Sequence, residues 1–139
     1  MSSNVVDVGS TLEAALAAMP QVIAIASENT AYTPTAGVPY CEANLLLAQP
    51  SDLELGSQGA YREQGVFLVR LNYPLQVGKG QSLAFAALLR AYFKRGTTFA
   101  GSNGVQVTID KTAEIAPGSV DGDRWVTPVR IRFYSNVTQ

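Results

Sequence analysis

From Gln64 to Tyr73 apolar and polar positions change sides with every residue. Phe67, Val69, Leu71 and Tyr73 share one side, and Val66, Leu68, Arg70 and Asn72 share the other. A period of two is the spacing of a strand whose faces meet different surroundings. The first set makes the better core face, while Val66 and Leu68 suggest that this end is covered on both sides. The stretch Arg124 to Tyr134 repeats the pattern, with Val129, Ile131 and Phe133 opposite Arg130, Arg132 and Tyr134. Gln21 to Ala26 and Tyr40 to Ala48 are apolar enough for two more strands, the second closed by Pro50. Val105, Val107 and Ile109 share a face of another. It is joined to Thr97–Ala100 through Gly101-Ser102-Asn103-Gly104, whose Asn-Gly pair signals a hairpin.

Two segments carry the helical period instead. Ser10-Thr11-Leu12-Glu13 reads as a capping box, in which the Ser10 hydroxyl accepts from the Glu13 amide and Glu13 reaches back. Leu12, Ala15, Leu16 and Met19 then share a face, and Pro20 ends the run, predicting a short helix over Thr11–Met19 after a flexible arm of residues 1–9. Phe85, Leu88, Leu89 and Tyr92 form a stripe at i, i+3, i+4, i+7, predicting a longer helix over Gln81–Lys94 with Leu88 in the core. Lys94 and Arg95 suit the negative end of its dipole, and Gly96 suits its cap. Residues 29–39, with Pro34, Gly37 and Pro39, and residues 51–59, polar and glycine-bearing, read as loops. The order helix, three strands, helix, three strands predicts an α+β fold: a mostly antiparallel β-sheet with one long helix packed on one face and a short N-terminal helix.

At 139 residues the chain has the size of one domain, and with 47% hydrophobic and 15% charged residues it can build a core without disulfides or metals. The net charge of -1 gives no global field to recruit nucleic acid. The charges are nevertheless divided. Residues 1–63 hold seven acids and one base, whereas residues 64–139 hold nine bases and four acids. Such a chain either attracts its own other half or pairs head to tail with copies of itself. The polar segment Ser51 to Gln64 is long for a connection. It reads either as a mobile surface loop or, by preference, as a segment that leaves its own domain and places Asp52, Glu54 and Glu63 against Arg90, Lys94, Arg95 or Arg132 of a neighbouring subunit.

Candidate chemistry is sparse. The absence of histidine excludes Ser-His-Asp and Cys-His catalysis and histidine metal sites, and the single cysteine, Cys41, excludes zinc clusters. Cys41 reads as an inert buried thiol and suits a reducing compartment. Gly78-Lys79-Gly80-Gln81-Ser82 lies where phosphate loops lie, but its lysine precedes the second glycine, so a plain turn is the better reading. Asp121-Gly122-Asp123 lacks the further ligands of a calcium loop and reads as a β-turn. Nothing in the order of residues places any two of Glu54, Glu63, Asp110 and Glu114 together as a glycosidase pair. Trp125 beside Arg124 could stack on a ligand, but a tryptophan that starts a strand is more often an edge-packing residue. No cofactor, membrane span or signal peptide is expected.

Several pieces together resemble the phage tail terminator-like, or tail-completion, family of long-tailed phages. They run from Ala24-Ile25-Ala26-Ser27-Glu28-Asn29-Thr30-Ala31-Tyr32-Thr33-Pro34 through Pro39-Tyr40 and Leu45-Leu46-Leu47-Ala48-Gln49-Pro50 to Tyr61-Arg62-Glu63-Gln64-Gly65-Val66-Phe67-Leu68-Val69. Tyr73-Pro74, Gly78-Lys79-Gly80, Phe93-Lys94-Arg95-Gly96-Thr97 and Val105-Gln106-Val107-Thr108-Ile109 continue it. Ile115-Ala116-Pro117-Gly118, Asp121-Gly122-Asp123-Arg124-Trp125 and Pro128-Val129-Arg130-Ile131 complete it. The family often carries tryptophan where Ser27 stands. The resemblance implies a structural virion protein and no catalytic residues. It implies a hexameric ring on the head-proximal end of the tail tube, made in the host cytoplasm. The ring would stop tube growth, join the neck or head-completion protein, touch the major tail tube protein and let genomic DNA pass without sequence-specific binding. In that setting the Ser51–Gln64 segment could equally meet the tube. A neck adaptor is the structural alternative, and a small ligand-binding domain or enzyme the alternative of another class.

Overall fold

A computed structural model describes residues 5–19, 23–27, 33, 37–52, 60–75, 80–101 and 104–138. In chain order the elements are α1 (Val5–Ala17), β1 (Ala24–Ser27), β2 (Tyr40–Leu47), β3 (Ser51–Asp52), β4 (Ala60–Pro74) and α2 (Gly80–Tyr92). Then come β5 (Thr98–Ala100), β6 (Gln106–Ile109), β7 (Glu114–Ile115), β8 (Ser119–Asp121) and β9 (Arg124–Thr138). The described strands form one sheet in the order β1-β2-β4-β9-β6-β5, with β3 beside β4 and both β7 and β8 beside β9. All pairs are antiparallel except β1 with β2, so the sheet is mixed.

β4 and β9 are the spine. They pair from Ala60↔Thr138 to Pro74↔Arg124, the full 15 residues of each. Along its other edge β9 meets β6, then β7, then β8, at Tyr134–Phe133, Arg130–Val129 and Val126–Arg124. The last of these is a hairpin closed by Gly122, whose φ of 63° lies where a side chain would be strained.

The expected alternation holds on the core side. Phe67, Val69, Leu71 and Tyr73 of β4 and Val129, Ile131 and Phe133 of β9 are buried, joined by Cys41 and Ala43 of β2 and Val107 and Ile109 of β6. Both helices close this same face with Val8, Leu12, Ala15 and Leu16 of α1 and Phe85, Ala86 and Leu89 of α2. A sheet with one covered face is what period-two strands produce.

Three expectations need correction. The first helix starts at Val5, not Thr11, and Ser10 lies inside it rather than capping it. Residues 5–9, expected to be part of a flexible arm, are drawn into the helix because Val8 is buried in the core and Gly9 packs against Leu45. Tertiary burial of one more apolar turn outweighs a local cap. α1 and α2 are therefore both 13 residues long, so there is no contrast of one long and one short helix. Leu88 is not in the core. Phe85, Leu89 and Phe93 set the buried line with Ala86 beside it, and Leu88, on the flank of that line, is 40% exposed. Leu88→Ala should therefore cost the single chain less than about 1 kcal/mol in urea unfolding, against about 2–5 for a buried leucine. Finally, Ser51–Gln64 is not one loop: Ser51–Asp52 pairs with Tyr61 and Arg62, and Ala60 to Gln64 belong to β4.

Candidate assembly surface

The face of the sheet away from both helices is built from the other half of each alternation. Leu46, Val66 and Arg132 lie in one cross-strand row; Asn44, Leu68, Arg130 and Glu114 lie in the next; Glu42, Arg70 and Pro128 lie in a third. Val66, Leu68, Arg70, Arg130 and Arg132 are half-buried, and neither described helix covers them. Val66 and Leu68 remain half-buried on this face although both described helices lie on the other.

This face is held in a defined charge pattern. Arg70 lies 4.0 Å from Glu42 and 3.5 Å from Asp121, and Glu114 lies 3.7 Å from Arg130 and 3.3 Å from Arg132. Arg62 donates from Nε to Asn136 Oδ1 at 3.0 Å while its guanidinium rests 4.1 Å from the Tyr134 ring centroid. Partly exposed pairs of this kind contribute little stability but fix where charge is presented. The result is an apolar centre of Leu46, Val66 and Leu68 beside four arginines, three of which have carboxylate partners. Of these arginines sequence reading singled out only Arg132. The signal for Arg130 was its place two residues earlier, on the same side of the alternation.

The structure redistributes the residues expected at a subunit contact. Asp52 is exposed on β3, and Lys94 and Arg95 are exposed just beyond α2. Glu63 is 8% exposed within β4 opposite Ser135, because this part of the segment that was read as a loop is a strand. Arg90 donates from Nε to the Ala113 carbonyl at 3.0 Å and so ties α2 to the β6–β7 connection. Arg132 is engaged by Glu114. Glu54, Gly78 and Lys79 lie outside the described residues.

Among the described residues no group of three or more histidine, cysteine or acidic side chains could hold a metal, and no helix is long and apolar enough to cross a membrane. Asp121-Gly122-Asp123 is the β8–β9 turn, and Asp121 meets Arg70 rather than an ion. Trp125 packs against Gly118 and lines a surface cavity of about 430 Å³.

Cys41 is buried, and burial together with the nearby Glu42 carboxylate pushes its thiol up to about 12. Burial, and then the Cys41 charge, also raises Tyr73. The folded state therefore holds the thiol proton more tightly than the unfolded chain, whose thiol titrates near 9. The resulting stabilisation is complete below that pH and is lost as pH climbs from 9 towards 12. Urea midpoints should fall across this window, with a shallower fall for Cys41→Ala. A native protein that labels with a thiol reagent at pH 8 as fast as a free thiol would contradict the burial.

A family model described as phage tail terminator protein matches residues 7–133. A solved structure with 21% sequence identity superposes with a TM-score of 0.67, covering 96% of this chain and 92% of that one, which supports the fold. No curated protein matches the chain.

Proposed function

Because the chain belongs to the phage tail terminator family, we propose that it assembles as a ring, a hexamer by likeness to lambda-type terminators, on the head-proximal end of the tail tube. There it stops polymerisation and provides the joint to the neck. Family membership makes it a structural component of a phage tail, and the ring and the capping step are the finer reading. The observation that best supports that reading is the one-sided sheet: both described helices lie on one face, while the other presents Leu46, Val66 and Leu68 beside Arg62, Arg70, Arg130 and Arg132. Leu46, 50% exposed at the edge of this face, is the kind of apolar position that a partner covers.

In this role the protein needs no bond-making chemistry. It acts as a single domain in the virion, with neighbouring copies, the major tail tube protein and the neck protein as partners. DNA passes the ring without base readout, which suits a chain with no net basic charge.

Deleting the gene from the phage should leave free heads and tubes longer than those of the parent, and supplying the protein in trans should restore tails of normal length. Tubes of normal length that fail only to join heads would favour a neck adaptor. Normal infectious particles would end the assignment altogether.

A further inference from the structure

We propose that α2 and the β2–β3 corner are the two halves of a head-to-tail joint between copies of this chain, a proposal that rests on the ring reading above. The first half is a helix face. Along the solvent side of α2, Leu83, Ala84, Ala87, Leu88 and Ala91 make an apolar stripe flanked by the exposed Gln81 and Arg90, with Leu83 41% and Leu88 40% exposed. A helix apolar on both sides is normally buried on both sides. Beside its first turn Leu83, Ile115, Pro117, Gly118, Trp125 and Thr127 line the 430 Å³ cavity. Beyond its last turn stand the exposed cations Lys94 and Arg95.

The second half is a knob of fixed shape. Residues 46–52 are exposed without interruption, and they include Leu46 (50% exposed), Leu47 (46% exposed), Ala48 and Pro50, ending at Asp52. Gln64 holds this corner. Its Nε2 donates to the Gln49 carbonyl and to Ser51 Oγ, each at 3.0 Å, and its own carbonyl accepts from the Ala48 amide at 2.9 Å. A pre-shaped apolar corner loses little freedom on docking.

The occupant of the helix face is a second copy because the two surfaces complement each other in both polarity and charge. Apolar meets apolar, and Asp52 meets Lys94 and Arg95. One chain cannot join them to each other, since Leu46 faces away from the helices and α2 covers the opposite face of the sheet. Two different patches on one chain make a heterologous contact, and such contacts close into rings when the rotation permits.

The joint is tested with Leu88→Glu and Leu46→Glu, both at exposed positions, with folding checked by circular dichroism and mass by sedimentation. The parent should show a ring that weakens as salt is raised. Each variant alone should sediment as a single chain. Mixed in equal amounts they should form a dimer and nothing larger, because the mixture contains only one intact pair of surfaces. The proposal is overturned by a parent that stays a single chain at every concentration, by variants that keep the parent's mass, or by a mixture that does not pair. The tube-length experiment remains a separate readout. Variants that keep the ring while deletion still lengthens tubes would remove this joint and leave the capping role standing.

Discussion

Phe93→Ala should destabilise the chain by about 3–5 kcal/mol, most of the margin of a domain whose total stability is about 5–15. Phe93 follows the last residue of α2, and its amide still donates to the Leu89 carbonyl at 2.8 Å. It is fully buried. Its ring lies 6.2 Å from Phe67 of β4, 5.3 Å from Phe99 of β5 and 5.3 Å, edge-on, from Tyr92. One side chain therefore ties the end of α2 to the spine strand and to the β5–β6 hairpin. Removing it loses the transfer free energy, leaves a cavity between elements that cannot all move inward, and forfeits three aromatic contacts. Urea unfolding followed by circular dichroism measures the loss. A cost under about 1 kcal/mol would mean that the surrounding rings collapse into the space.

Gly65→Ala should cost about 1–3 kcal/mol or more, although replacing glycine by alanine inside a strand is ordinarily favourable. Gly65 pairs with Leu47 of β2 and Phe133 of β9. A methyl group on it would meet the Leu46 carbonyl oxygen and would come within 3.0 Å of the Leu47 Cα. Both are backbone, so no rotamer change relieves the clash, and β2 has to move away from β4 exactly where the exposed corner begins. Gly80→Ala is the control, because nothing lies within 4 Å of a methyl group there and position 80 is helical. The Gly65 variant should melt several degrees below the parent, the Gly80 variant at or above it. Equal melting temperatures would mean that β2 yields freely, and the corner held by Gln64 could not then be a fixed knob.

The sequence by itself determined which side of the two long strands faces the core, but not the short strands β3, β7 and β8. The alternation at 67, 69, 71 and 73 and at 129, 131 and 133 named the buried side correctly, because side-chain direction in a strand follows from backbone geometry alone. Composition limited the candidate chemistry through the lack of histidine, and the pieces from Ala24 to Ile131 pointed to the family that the comparison supports. Other features depended on what each segment packs against. α1 begins at Val5 because Val8 finds a core to enter, which no local cap encodes. Phe93, to which the sequence reading gave no role, takes the core place expected of Leu88. The stripe of 85, 88, 89 and 92 and the line of 85, 89 and 93 are both helical, and only the position of β4 and β5 selects between them. Glu63 was read as a surface acid because its segment looked like a loop; pairing with β9 made it a strand residue. The sheet could be foreseen from periodicity, but which of its faces the described helices leave, which side of α2 carries an apolar stripe to the surface and where Gln64 pins a corner are long-range facts. They arise when residues far apart in sequence come together, and the candidate joint is made of such facts.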